Sequence, residues 1–262
     1  MSFAGELRCG RGLPDWRDGA AYEELTSLEP SGLAWEWLRR DPKYFEAALQ
    51  ALAAGRAGDR NARGALRFNL HAFEDPRLPA AAARPVWAAP AHPWVLRASA
   101  VGSPLDENCL DIARFNGLAK IVRDGETQHL LLSDGYRALR VDIKGALLAQ
   151  SPVRLTFSLS GIDDLRRPLI MLQRLRSLAI SGRFSSTCLV PFSRARRIVN
   201  LLRAYDALRA GASHAEIASF ILARNLDRHG WRIHSPSVRS QAQRLARSAV
   251  RMGAGGFWQL IE

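Results

Sequence analysis

Two neighbouring stretches, SHAEIASFIL (213–222) and SPSVRSQAQRLARSAVRMG (235–253), set the reading of this chain. In the first, the Ser213 hydroxyl is placed to accept from the Glu216 amide while Glu216 reaches back, the spacing of a capping box. Ile217, Phe220 and Ile221 then share one face of the helix that follows. The second opens at Ser235, with Pro236 in the first turn, where a missing N–H costs no hydrogen bond. Val238, Ala242, Leu245, Ala249 and Met252 form its apolar stripe. Arg239, Gln243, Arg247 and Arg251 recur every four residues on another face, with Arg244 beside them. Such a pair, spanning 212–253, suits a helix-turn-helix in which one helix braces and the other enters the major groove. The segment 222–234 is longer than a tight turn, so this is a divergent version. The competing reading is a helical hairpin with a solvated basic face.

Charge separates those readings. Residues 1–160 hold 20 Lys+Arg against 19 Asp+Glu, whereas residues 161–262 hold 17 Arg, no Lys and 6 acids. Nearly all of the net +12 therefore lies in the C-terminal part. A neutral region joined to an Arg-only basic one is the footprint of a polyanion-binding domain on a neutral partner. Arginine also suits bidentate contacts to phosphate or guanine. The candidate DNA-reading side chains are Arg239, Ser240, Gln243, Arg244, Arg247 and Arg251. Arg232 and Ser237 would lie near phosphates at the helix N-terminus, and Arg194, Arg196 and Arg197 would add backbone contacts from the preceding long helix.

Everything after Gly161 reads as helical, over 162–180, 191–210 and the two stretches above, which predicts a four-helix basic bundle. Before it, 118–122, 128–133 and 136–143 alternate with period two. Asp124-Gly125 and Asp134-Gly135 separate them as hairpin turns, and 153–159 offers a fourth strand. The N-terminal region is helical and rich in aromatics (Trp16, Tyr22, Trp35, Trp37, Tyr44, Phe45), with Pro42 opening a helix after an Asp41 cap. Such crowding supplies the core of a small domain or, through Trp35, Trp37, Arg39 and Arg40, a surface for a partner. The expected class is α+β: a helical domain over 1–60, a linker over 61–84, a central antiparallel β-meander over 85–160 and a helical DNA-binding domain over 161–262.

The segments DWRD (15–18) and AWEWLRRDPKY (34–44) resemble the "transcriptional regulator-like" N-terminal domain of alpha-proteobacterial proteins. The remainder is similar to the domain of unknown function that accompanies it. The matching marks are SPVRL (151–155), Gly182-Arg183-Phe184, Asp206-Ala207-Leu208, Gly211-Ala212-Ser213, Glu216-Ile217-Ala218, Trp231, 235–239 and Gly255-Gly256-Phe257. Ser235-Pro236-Ser237-Val238 and Ser151 are mild departures from the family's usual residues. Members include the excision activator of integrative and conjugative elements, whose two halves are sometimes joined by a programmed frameshift. The resemblance implies an activator acting on double-stranded DNA at the promoter of an excisionase-type gene. It also implies control by a small antiactivator, alongside contact with RNA polymerase. Paired half-sites would call for a homodimer.

No catalytic constellation emerges. His71, His92, His129, His214, His229 and His234 show no metal-ligand spacing with cysteines or acids. Asp163-Asp164 sit at a helix start, where acids favour the dipole, and no Gly-rich phosphate loop occurs. Cys9, Cys109 and Cys188 are far apart and read as reduced. The expectation is therefore a protein that is not an enzyme, with no cofactor, no metal and no membrane span, working in the cytoplasm. The alternative function is a protein-interaction module whose basic bundle recognises an acidic partner.

Overall fold

The structure is a computed structural model that describes residues 12–55, 59–103, 108–161, 165–184, 192–222 and 236–262. Trp231, Arg232, Ser235, Asp163, Asp164, His229, His234 and Cys188 lie outside the described residues. The chain is α+β, and it divides into two compact units that do not follow the expected domain order. One comprises residues up to 45, 76–80 and 192–261; the other comprises 46–75 and 81–191 with Glu262.

The second unit is built on a five-stranded sheet: β1 (Val95–Gly102), β2 (Ala119–Asp124), β3 (Thr127–Ser133), β4 (Ala138–Gly145) and β5 (Val153–Ser158). The order is β2-β3-β4-β1-β5. The expected meander is present as β2-β3-β4, antiparallel throughout. β5 does not extend it. Instead β1 lies between β4 and β5, parallel to β4 and antiparallel to β5. Its inward residues Leu96, Ala98 and Ala100 alternate with exposed ones, the period expected of a half-buried strand. A parallel pair needs a long crossover, and residues 103–137, carrying β2 and β3, supply it. Leu130, Leu132, Leu139, Val141 and Ile143 line the apolar face of the sheet with the β1 residues. The helix Arg166–Ser181 packs there through Met171, Leu175 and Leu178. The expected four-helix basic bundle is corrected accordingly: its first helix belongs to the sheet unit.

The first unit contains α1 (Gly19–Glu23), α2 (Pro30–Leu38) and the start of α3 (Pro42–Ala53). A short helix, α4 (Asp59–Leu66), follows in the sheet unit, and Arg166–Ser181 is α5. The first unit then takes in α6 (Ala195–Arg209), α7 (His214–Ile221) and α8 (Pro236–Gly253). Pro42 opens α3 as expected, with Asp41 Oδ1 accepting from the Lys43 amide at 2.9 Å. The aromatics are core: Trp16, Tyr22, Trp35, Trp37 and Tyr44 are buried. Trp37 packs on Tyr205 of α6 at 5.4 Å, and Trp16 meets Phe220 of α7 edge-on at 5.3 Å.

Trp35, Trp37, Arg39 and Arg40, expected as a partner-binding surface, are corrected by this packing. Their exposures are 0, 2, 1 and 0%. Glu36 Oε2 accepts from Arg39 Nη1 (3.1 Å) and Arg40 Nη1 (2.7 Å), and its Oε1 accepts from the Ala80 amide (2.7 Å). Arg40 Nε bridges both carboxylate oxygens of Asp206 on α6 at 2.9 Å, and Tyr22 Oη donates to the same carboxylate at 2.6 Å. Buried charges persist only when paired and hydrogen-bonded, and these are.

Residues 61–84 are no linker either. Ala65, Leu70, Ala80 and Ala83 are buried, and the carbonyls of Pro76, Arg77 and Leu78 accept from Arg39 Nε, Arg39 Nη2 and Trp35 Nε1. Low periodicity there goes with a segment that combines a few buried apolar side chains with backbone carbonyls used as hydrogen-bond acceptors.

Candidate nucleic-acid interface

The candidate surface is built from α6, α7 and α8. Ser213 caps α7 as its sequence requires: its hydroxyl accepts from the Glu216 amide at 3.2 Å, and Glu216 Oε2 accepts from the Ser213 amide at 2.9 Å. These bonds hold the exposed Glu216 carboxyl below the usual carboxylate range. Ile217, Ala218 and Ile221 turn inward, and Ala218 packs with Val238 and Ala242 of α8. Small residues let the helices approach closely. At Gly253 an added Cβ would lie 2.3 Å from the Tyr205 ring.

Packing fixes what α8 leaves outside. Val238, Ala242, Ala246 and Ala249 are buried, and Leu245 and Met252 are half-buried. At about 100° per residue, Arg239, Gln243, Arg247, Ser240, Arg251 and Arg244 fan across a sector of roughly 140° opposite that stripe. All six are exposed, as is Ser237 in the first turn. Arg239 and Arg251 are twelve positions apart, about 18 Å along the axis. No acid pairs with Arg244, Arg247 or Arg251 among the described residues. The sector also carries Val250, 54% exposed.

The remaining expected contacts divide. Arg194, Arg196 and Arg197 are exposed at the start of α6, and Arg196 Nη2 is engaged by Glu23 at 2.5 Å. Arg232 lies outside the described residues. Several other arginines of the basic region serve the fold. Arg203 Nε donates to the Trp16 carbonyl (2.6 Å), Arg209 Nη1 to the Arg40 carbonyl (2.7 Å) and Arg174 Nη1 to the Ala138 carbonyl (3.1 Å). The net charge of the region thus overstates the charge free to meet a ligand.

Metal-ligating side chains converge once among the described residues, at His71, Asp124 and His129 in the sheet unit. Burial, with His129 and Arg140 nearby, pushes His71 down to about 4. Sequence spacing missed the cluster because His71 comes from a distant segment, while Asp124 and His129 come together through the β2–β3 register. Also among the described residues, no helix is long and apolar enough to cross a membrane.

Residues 15–68 match the family model described as a proteobacterial transcriptional regulator-like domain. Residues 164–262 match the model described as "T6SS, Transcription factor, DNA binding domain". No curated protein and no solved structure matches the chain. The chain therefore carries a region similar to a transcriptional regulator-like domain and a region similar to a transcription-factor DNA-binding domain. The second match spans α5 to α8, and so takes in parts of both compact units.

Proposed function

We propose that this protein is a DNA-binding transcription regulator that reads duplex DNA with the outer sector of α8. The carrying observation is the exposed Arg face of α8, free of acids at Arg244, Arg247 and Arg251, within the stretch similar to a DNA-binding domain. In the proposal α8 lies in the major groove. Arg239, Ser240, Gln243, Arg244, Arg247 and Arg251 project from α8 toward the duplex and contact both phosphates and base edges, and Ser237 lies near phosphates at its N-terminus. Arg194 and Arg197 add backbone contacts, as does Arg232. The finer reading is an activator of excision or transfer genes of an integrative and conjugative element, acting at an excisionase-type promoter. A small antiactivator, RNA polymerase and a second copy of the chain are its further partners. It rests on the resemblance of AWEWLRRDPKY (34–44) and the C-terminal marks. The proposal assigns the chain no catalytic step.

The test is DNA binding by the full chain across a salt series, with the protein's own upstream region against a scrambled duplex. The full chain is required because α6 to α8 share a compact unit with α1 and α2. The expected result is preference for the upstream region with a steep salt dependence. Changing Arg244 and Arg247 together to Ala should lower the salt slope by about two units, each phosphate contact contributing roughly 0.9. Equal weak binding to both duplexes, or an unchanged slope in the double variant, overturns the assignment. In that event the basic face becomes a docking surface for an acidic protein.

A further inference from the structure

We propose that His71, Asp124 and His129 form a binding site for a divalent first-row transition-metal ion, with zinc the species that fits best. One donor atom from each lies within 4.8 Å of the other two. The site is independent of the DNA-binding face and belongs wholly to the sheet unit.

The sheet register brings two of the three together. His129 of β3 is paired with Val122 of β2, so Asp124, two residues on, lies diagonally from it on the same face. That face is the polar one: Leu130 and Leu132, on either side of Leu131, point into the apolar core instead. His71 reaches the same place from the segment after α4, and its ring stacks on that of His129 with centroids 3.5 Å apart. That segment is fastened to the sheet face nearby. Lys120 of β2 pairs with Glu74 and donates to the Arg84 carbonyl.

His129 supplies the second, independent observation. It is 5% exposed, and its Nδ1 lies 2.6 Å from Asp142 Oδ1. An ionised carboxylate only accepts, so Nδ1 donates to it, with Arg140 Nη2 3.2 Å from the same nitrogen, and in the neutral ring Nε2 carries the lone pair. That Nε2 is buried and has no hydrogen-bond partner. A buried imidazole lone pair with nothing to accept from is rare. Here its ring is oriented by a carboxylate on the opposite nitrogen, the arrangement that orients metal-binding histidines and raises their basicity. Arg140 Nη2 donates to the same Asp142 oxygen at 2.7 Å and fixes it in turn.

Two imidazoles and one carboxylate make a nitrogen-rich, borderline set, suited to zinc rather than to calcium or magnesium, which prefer all-oxygen shells. Three protein ligands leave a fourth position for water or for a group from elsewhere. Asp124 is exposed, so the ion has a path from solvent. His71 Nε2 lies 3.1 Å from Arg140 Nη2. Stacked rings do not aim their lone pairs at one point, so ligation turns the half-buried His71 ring out of the stack and away from Arg140. Arg140 keeps Asp142 as its partner. The bound ion would then tie the segment carrying His71 to the β2–β3 hairpin.

The experiment uses the full, untagged chain, stripped with a chelator and titrated with Zn2+ by calorimetry, with Co2+ as a spectroscopic probe. The expected result is one saturable site per chain and visible absorption from the cobalt form at low coordination number. Asp124→Asn and His71→Gln remove ligands at exposed and half-buried positions, so both variants should fold, and each should weaken binding by on the order of 100-fold. Asp142→Asn, which removes the orienting carboxylate and with it the ion-pair partner of the buried Arg140, should weaken it by about 10–100-fold, with a thermal melt confirming that the variant is folded. Absence of saturable binding by the wild type overturns the site. So does a 1:1 isotherm that Asp124→Asn and His71→Gln leave unchanged.

Discussion

The helical unit uses arginine in two opposite ways. Arg39 and Arg40 just after α2 are 1 and 0% exposed, and their guanidiniums are held by carboxylates and carbonyls of the fold. Arg244, Arg247 and Arg251 on α8 stand in solvent, with no acid paired to them among the described residues. The first kind is a structural cation whose partners are fixed in the fold. The second keeps its partner outside it. A charge count treats them alike, and only burial separates them.

The sharpest way to break this comparison is Asp206→Ala, which leaves Arg40 and Tyr22 facing a vacancy in the core of the helical unit. Removing one partner of a buried pair costs about 3–5 kcal/mol, to be read as a fall in the denaturant midpoint. Lowering pH attacks the same network more gently. Burial alone would raise the Glu36 carboxyl, but the Arg39 and Arg40 guanidiniums and the Ala80 amide outweigh it and hold it below the usual carboxylate range. A depressed folded pKa contributes stability above the unfolded value of about 4.3, and that contribution is lost as pH falls through the folded value. Stability of the wild type should therefore decline as pH drops below about 4.3, and Glu36→Gln should flatten that decline.

Gly253→Ala tests the seat of α8 itself. Its Cβ would enter the Tyr205 ring, and overpacking of this kind costs about 1–3 kcal/mol. The smallest expected effect sharpens the contrast most. Arg244→Ala with Arg247→Ala should change thermal stability by no more than about 0.5 kcal/mol, even as DNA affinity falls. A large loss of stability in that variant would mean that these arginines also belong to the fold.

Local rules made parts of the fold legible. Ser213 and Glu216 specify their own capping box, Asp41-Pro42 opens a helix, and two Asp-Gly dipeptides mark the hairpins around β3. The outward face of α8 was legible because its Arg period and its Ala period are the same helix seen from two sides. What escaped depends on distant partners. β1 hid because Pro93 and Pro104 bracket it as though it were loop, and its place in the sheet is set by strands 40 or more residues downstream. Trp35 and Trp37 read first as core and second as a partner surface, and the partners that bury them, Tyr44 and the Leu78 carbonyl for Trp35 and Tyr205 of α6 for Trp37, are not signalled by their own neighbours in sequence. The grouping of His71, Asp124 and His129 depends on strand register, which spacing along the chain does not encode. Residues 76–80 resemble linker because most of what they contribute is backbone, the carbonyls of 76–78 and the Ala80 amide, which every residue but proline can supply.

The Arg40–Asp206 bond joins residues 166 positions apart. At about 5–20 residues per second, a ribosome delivers the second roughly 8–33 s after the first. Throughout that interval Trp37 of α2 and Arg40 just after it lack Tyr205 and Asp206, their partners on α6. The sheet unit, whose strands all emerge meanwhile, is free to form first. The surface that carries α8 therefore matures last, and a nascent chain stalled before α6 would leave Trp37 and Arg40 without the partners that bury them.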